Sequence, residues 1–365
     1  DSEKRASLGL RDEGLFGVSA HTHEGILKGL DHFRGFVKSQ AGVPSENMEA
    51  LARLWWRRHR VGKPPALSVT FIAQNRKELL KQISQFKRSV RENPGKRVGH
   101  ERSSIPDASF QDRVFYNPQP MASGNKNEIC FVFPGSGNTF PGMGRELFVQ
   151  WPEILRKQYQ ENLYLRRQYR PDCFWDIDKR YEDNLFKKRH DRRSMIFGHV
   201  SLCTGVSDLV QTFGIKPNSV VGYSLGETAG LFALKAWPNR DEMLGKIQKS
   251  TLFTQDLAGE SRAARRHWKW PRNKPLNWVL FTIDRSMDVI RDLLEKHDYV
   301  YPLISNTSEE CVIGGERSAV EGFIHGIGCR HVPIEGVSIA HCDVLKEVEE
   351  DYRELHLQKT TVPPQ

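Results

Sequence analysis

Ser219-Val220-Val221-Gly222-Tyr223-Ser224-Leu225-Gly226-Glu227 decides the fold. A short apolar run leads into a glycine-flanked serine, and Thr228 to Ala236 continues as an apolar helix. Gly222 to Gly226 fits G-x-S-x-G, in which the glycines permit a strained strand-to-helix turn that lifts the serine hydroxyl off the sheet at a helix N-terminus. Five residues with two free positions are a weak signal alone, because glycines at such a turn also serve plain strand-to-helix packing. The flanking strand and helix are what give the pattern weight, and they predict an α/β arrangement.

Upstream, Ile129-Cys130-Phe131-Val132-Phe133 reads as a strand of the kind buried on both faces of a parallel sheet, ending in Pro134-Gly135-Ser136-Gly137. Downstream, the order is strand (Trp278 to Ile283), helix (Met287 to Lys296), strand (Tyr301 to Ser305), strand (Cys311 to Gly314), helix (Ala319 to Ile327) and strand (Arg330 to Ile334). That βαββαβ series, about 275–335, is the ferredoxin-like pattern. The first 115 residues read as a small α+β unit: a strand over Leu15–Ala20, a helix from Gly25 to Val37 with Ile26, Leu30, Phe33 and Val37 on one face, a helix from Met48 to Trp56, a strand from Ala66 to Ala73 and a helix from Arg76 to Val90. Residues 91–112, with Pro94, Gly95, Gly99 and Pro106, read as a loop or linker.

A serine nucleophile needs a base, and histidine serves because its pKa lies near neutrality. Among thirteen histidines, His341 follows the last strand of the βαββαβ unit, where the chain returns toward the serine; His199 and His331 sit inside apolar runs and read as packed.

Composition bounds the rest. The 365 residues are 38% hydrophobic, 27% charged and 10% aromatic, which excludes disordered and collagenous chains and suits two or three domains. No stretch approaches the roughly 18 apolar residues of a membrane-spanning helix, and the mean hydropathy is −0.56. Cys130, Cys173, Cys203, Cys311, Cys329 and Cys342 include no C-x-x-C pair, so free thiols are expected rather than a metal site or a disulfide framework. With 54 Lys+Arg against 45 Asp+Glu the formal charge is +9. Basic residues cluster at Arg57, Arg58, His59 and Arg60, and again from Arg166 to Arg193 through Arg167, Arg170, Lys179, Arg180, Lys187, Lys188, Arg189 and Arg192. A solvated face and a surface for an anionic partner are both open readings, and no nucleic-acid-binding signature accompanies the charge.

Phe131-Val132-Phe133-Pro134-Gly135-Ser136-Gly137, then Phe140-Pro141-Gly142-Met143-Gly144-Arg145-Glu146-Leu147, then the serine elbow, then Ala340-His341 together resemble the acyltransferase domain of type I polyketide and fatty-acid synthases, of the malonyl-CoA:ACP transacylase type. Ser194 to Val210 and Leu252-Phe253-Thr254 look most similar to polyunsaturated-fatty-acid and iterative polyketide synthases, and Val18-Ser19-Ala20-His21-Thr22 resembles the start of the ketosynthase-to-acyltransferase linker. The resemblance implies a linker domain over 1–115 and an acyltransferase domain over 128–365, with an α/β-hydrolase-like large subdomain and an inserted ferredoxin-like small one, shortened at its C-terminal end.

Carried over, Ser224 would take an acyl group from acyl-CoA, His341 would act as general base, and the phosphopantetheine thiol of an acyl carrier protein would accept the acyl group. Ser136 and Leu225 would supply oxyanion-hole amides. No bound cofactor or metal is implied, and the implied partners are acyl-CoA, the carrier protein and a neighbouring ketosynthase; the free thiols and the lack of a signal-peptide pattern lead to a cytoplasmic expectation. This sequence has Ser136 where the family usually has Gln, and Tyr223 where it has His, which makes Tyr223 an expected substrate-pocket residue. Malonyl-type relatives carry an arginine 25 residues after the nucleophile; here that position is Lys249, with Arg262, Arg265 and Arg266 as other candidate partners for a substrate carboxylate. A serine esterase or thioesterase, which would want an Asp or Glu orienting His341, and a docking module for an acidic carrier protein are the alternatives.

Overall fold

The computed structural model describes residues 13–40, 42–43, 47–59, 67–99, 112–120, 128–170, 174, 192–335 and 339–361. The chain divides into two compact units, Asp1–Glu128 and Ile129–Gln365.

In the first unit, β1 (Gly14–Ala20) is followed by α1 (His23–Ser39), α2 (Met48–Arg58), β2 (Leu67–Ala73), α3 (Arg76–Glu92) and β3 (Val114–Tyr116). The strands form an antiparallel sheet in the order β1-β2-β3. Local chemistry sets the helix starts: Thr22, Asn47 and Asn75 each accept a bond from a backbone N–H in the first turn, satisfying donors that the helix itself leaves unpaired. Ile26, Leu30, Phe33 and Val37 recur every three or four residues on α1 and are all buried against Phe16, Phe71 and Trp55. Trp55 also donates its indole N–H to Gly17 O at 2.7 Å. The predicted loop needs correction at its start: Val98 is buried in this core and pairs with Tyr116. Residues 100–111 lie outside the described ones, as do Arg60, Ala66, Cys173, Lys179, Arg180, Lys187, Lys188, Arg189, Ser338 and the side chain of Arg192.

In the second unit, β4 (Cys130–Phe133) runs parallel to β5 (Ser219–Gly222). Between them lie α4 (Arg145–Gln150), α5 (Pro152–Glu161), α6 (Leu165–Gln168) and α7 (Arg192–Thr212). After β5 come α8 (Leu225–Ala233), α9 (Arg240–Lys249), a π-helical turn (Leu252–Asp256) and α10 (Arg262–His267). The expectation that β4 is buried on both faces is overturned. Phe133 is buried against α8, but Val132 and Val221 are 73% and 57% exposed, because among the described residues this sheet has two strands and its outer face is uncovered.

The following segment is β6 (Trp278–Ile283), α11 (Met287–Leu294), β7 (Val300–Ser305), β8 (Cys311–Glu316), α12 (Arg317–Ile327) and β9 (His331–Ile334). Its strands pair antiparallel in the order β7-β8-β6-β9, the ferredoxin-like arrangement. His331 is not packed as expected: β9 is an edge strand and its residues His331 to Pro333 are exposed, with the His331 ring against the edge of Phe281. His199 is packed, buried in α7 with its ring nitrogen donating to Pro134 O at 2.9 Å. A 3₁₀ turn (Asp343–Val348) and α13 (Glu349–His356) complete the described chain.

Candidate active site

β5 delivers the chain into the elbow, and two glycines make the turn possible. A Cβ on Gly226 would sit 2.2 Å from Phe133 O, and one on Gly222 would sit 2.1 Å from the Glu227 amide nitrogen. Only residues lacking that atom allow β4, the elbow and α8 to approach so closely. Ser224 itself takes φ 53°, ψ −114°, a conformation that costs a non-glycine residue on the order of 1–3 kcal/mol. The turn holds its hydroxyl at the N-terminus of α8, where the helix dipole favours negative charge.

The candidate base arrives from much later in the sequence. Ile339 donates its N–H to Leu257 O at 2.8 Å, tethering the chain just ahead of His341, which adopts φ 60°. Ser224 Oγ then lies 2.9 Å from His341 Nε2, so the hydroxyl can donate to the neutral ring. Burial holds the His341 pKa below its ordinary 6.5, against the opposing pull of the Glu227 carboxylate. The imidazole is therefore unprotonated near neutrality, as a base must be. Among the described residues no carboxylate hydrogen-bonds His341, so the Asp or Glu that a hydrolase triad wants has no counterpart. Neighbouring Cys342 is no rival nucleophile, since burial pushes its thiol up to about 11.

Ser136 and Leu225 face the same cavity as Ser224 and His341. Neither of their amides has a hydrogen-bond acceptor among the described residues, which leaves both free to meet an oxyanion. The cavity holds about 230 Å³ and is lined mostly by apolar side chains, including Phe197, Val200, Leu231, Phe232, Met243, Ile247 and Phe253. Its single Lys or Arg is Arg240, which is buried and donates to Asn162 Oδ1 at 3.1 Å, to Thr204 Oγ1 at 2.9 Å and to Gln158 Oε1.

The other expected substrate contacts fall elsewhere. Lys249 is exposed and does not line the cavity. It stands two residues after buried Ile247 on α9, and two residues turn a helix by about 200°, so Lys249 faces the opposite way. Arg262 pairs with Glu260, Arg265 is spent on backbone carbonyls of Glu260, Pro271 and Lys274, and Arg266 pairs with Asp256 and Glu347. Tyr223 does not line the cavity either; its hydroxyl donates to Asn306 Oδ1 at 3.0 Å. Asn306, Arg240 and Glu227 are the parts that sequence reasoning assigned no role. Asn306 lies in a polar turn with no mark of its long-range contact. Arg240 is an unremarkable helix-start arginine until its neutral partners are seen.

No helix among the described residues is long and apolar enough to cross a membrane, and none of them form a cluster of three metal-ligating side chains. No protein-family model matches the chain. It is 28% identical over 261 residues to the highly reducing polyketide synthase ausV of Aspergillus calidoustus, covering 63% of this chain and 10% of that protein. To the highly reducing polyketide synthase frbB of Dothideomycetidae sp. it is 29% identical over 258 residues, covering 66% and 9%. To the highly reducing polyketide synthase 40 of Fusarium mangiferae it is 31% identical over 133 residues, covering 35% and 5%. The chain thus spans a tenth or less of these relatives. Among solved structures it is similar to the acyl transferase domain of ZmaA, with a TM-score of 0.65 at 16% identity over 98% of this chain and 72% of that one. The acyl transferase domain of SpnD, in complex with 2-(pent-4-yn-1-yl)malonyl, gives 0.62 at 15% identity over 98% and 73%. The chain shares the α/β fold of polyketide-synthase acyltransferase domains.

Proposed function

We propose that this chain is an acyltransferase of polyketide biosynthesis that moves an acyl group from acyl-CoA, through an ester on Ser224, to the phosphopantetheine thiol of an acyl carrier protein. The observation that carries the reading is the 2.9 Å contact between Ser224 Oγ and His341 Nε2 at an apolar cavity, on an elbow at a helix N-terminus.

In the first half-reaction His341 takes the Ser224 proton as Oγ attacks the thioester carbonyl. The oxyanion meets the amides of Ser136 and Leu225; one such donor is worth about 3 kcal/mol in the transition state. Collapse expels the CoA thiolate, which receives the proton from His341, and leaves the acyl-serine. In the second half, His341 takes the proton of the carrier thiol, the thiolate attacks the ester, and the returning proton restores the Ser224 hydroxyl. The cycle is ping-pong. Water competes at the ester stage, and the apolar lining favours transfer over hydrolysis.

The lining also bears on the acyl group. With Lys249 turned away and Arg240 engaged by three neutral acceptors, no unoccupied cation faces the chamber among the described residues, so an uncharged acyl chain suits it better than a carboxylate-bearing one. The reading assigns the first unit to the linker beside a ketosynthase and puts the reaction in the cytoplasm, where acyl-CoA is supplied.

Intact-protein mass spectrometry tests this after mixing the chain with malonyl-, acetyl- and longer acyl-CoA. A mass increase that Ser224→Ala abolishes is the expected result, and a folded sample with no adduct from any donor would overturn the reading.

A further inference from the structure

Ser136 brings only its backbone N–H to the proposed reaction, so the group is aimed by the orientation of the Gly135–Ser136 peptide and not by a side-chain rotamer. No peptide among the described residues is cis, and in a trans peptide the C=O and the N–H point in opposite directions. Whatever holds the Gly135 carbonyl therefore sets where the Ser136 N–H points. That carbonyl accepts from Asn138 Nδ2 at 2.9 Å. A carbonyl can only accept, so the nitrogen of the Asn138 amide is the atom that must face it. On the other side of the same peptide, the Ser136 N–H has no acceptor among the described residues, and Ser136 lines the cavity shared with Ser224 and His341.

The rest of the loop is braced from two further directions. His199, buried in α7, donates to Pro134 O at 2.9 Å. From the elbow, Tyr223 packs on Gly135, where a Cβ would lie 2.6 Å from Tyr223 Cδ1 and 2.8 Å from Tyr223 O, and the Tyr223 N–H donates to Phe133 O at 3.0 Å. These contacts place the loop beside Ser224. They leave one rotation open, because the backbone of Gly135 is lightly restrained and the peptide that follows it can turn about the chain. The Asn138 bond closes that rotation.

We propose that Asn138 is a positioning residue of the oxyanion hole: by holding the Gly135 carbonyl it aims the Ser136 amide at the oxygen that becomes negative as Ser224 is acylated. The assignment rests on the acyl-transfer reading, and the test keeps the two apart.

Acylation of the full chain by acetyl- and hexanoyl-CoA is followed by rapid-quench mass spectrometry in the parent, in Asn138→Leu, which keeps the approximate shape without the donor, and in Asn138→Gln, which keeps the donor on a longer arm. Two inhibitors are titrated beside it. An alkylboronic acid takes the Ser224 oxygen onto boron, passes the proton to His341 and leaves an anionic tetrahedral boronate with an oxygen where the oxyanion would form. The S-hexyl thioether of CoA binds without forming a tetrahedral centre. Losing an oxyanion donor outright costs about 10²–10³ in rate and a misaimed donor costs part of that, so Asn138→Leu should acylate about 10-fold more slowly at saturation, with KM within about 2-fold of the parent. It should bind the boronate about 10-fold more weakly and the thioether as the parent does. Asn138→Gln should recover most of both losses. An asparagine that merely closed a turn would lower the melting temperature and leave the rate and the boronate-to-thioether ratio alone, and that result would overturn the assignment. Equal weakening of both inhibitors, the mark of a collapsed site, would overturn it too. Should no CoA thioester acylate the parent while boronate binding still drops in Asn138→Leu, acyl transfer fails as the reading of the site and the aiming of Ser136 by Asn138 stands.

Discussion

Tyr223, the residue ahead of the candidate nucleophile, donates its hydroxyl to Asn306 Oδ1 at 3.0 Å, and Asn306 in turn donates to Glu310 Oε1 at 2.9 Å. The elbow at the end of β5 is thus tied to the β7–β8 turn of the ferredoxin-like segment. Removing the hydroxyl in Tyr223→Phe should cost about 0.5–1.5 kcal/mol, and Asn306→Ala a similar amount. If the two act through one bond, the double variant loses less than the sum. A double-mutant cycle on chemical denaturation reads this, and strict additivity would refute the coupling.

His341→Ala should slow Ser224 acylation by about 10²–10⁴-fold, the usual contribution of a general base. Because burial depresses the His341 pKa below 6.5, the acylation rate of the parent should fall to half its plateau at a pH below 6.5. Rapid-quench mass spectrometry across pH 5 to 8 measures both quantities. A decline centred above 6.5 would contradict the depressed value.

Stability should also respond to acid. His199 and His341 are both held below the ordinary 6.5 by burial, so each is neutral in the fold and protonates more readily once unfolded. The unfolded chain then takes up protons first, and stability is full above pH 6.5 and falls as pH drops below it. His199→Gln should flatten part of that slope in urea titrations at pH 7.5, 6.5 and 5.5; an unchanged slope would exclude His199 as a contributor.

Gly226→Ala should destabilise the fold by about 1–3 kcal/mol or more, since the new methyl would lie 2.2 Å from Phe133 O, a backbone atom that cannot step aside without moving β4. The melting temperature measures it. An unperturbed melt would mean that the elbow and β4 separate easily.

Narrowing the chamber should shift acyl choice. Ile247 lines it and is buried, so Ile247→Phe should disfavour longer chains relative to acetyl by about 1–3 kcal/mol, or 10- to 200-fold. Competition between two acyl-CoAs, read by adduct mass, gives the ratio directly.

Where local pattern and tertiary demand agree, the sequence was a sound guide. Trp278–Ile283 was readable to the residue as a strand, and the helix of Gly25 to Val37 runs from His23 to Ser39, its start set by the Thr22 cap. The elbow was legible because its glycines are required by close backbone approach. Other features depend on what lies across from a segment. Cys130–Phe133 has the apolar content of a doubly covered strand, but Val132 faces outward. Val114–Tyr116 is too short for alternation to register, yet it pairs with β2. Counting along the chain put Lys249 at the substrate, whereas α9 rotates it away from the side that carries Ile247. The partners of Arg240 come from α5, α7 and the end of α5's turn, contacts between 36 and 82 residues apart that no local window contains.

The backbone at Ser224 sets function against durability. At φ 53°, ψ −114° the serine occupies ground that suits glycine. Replacing it with glycine would relieve about 1–3 kcal/mol of strain while deleting the hydroxyl that meets His341 Nε2 at 2.9 Å. Such a variant should melt later than the parent and form no acyl adduct. A search for thermostable versions of this chain would therefore drift toward losing its candidate nucleophile, so a screen on melting temperature alone would select against the proposed chemistry.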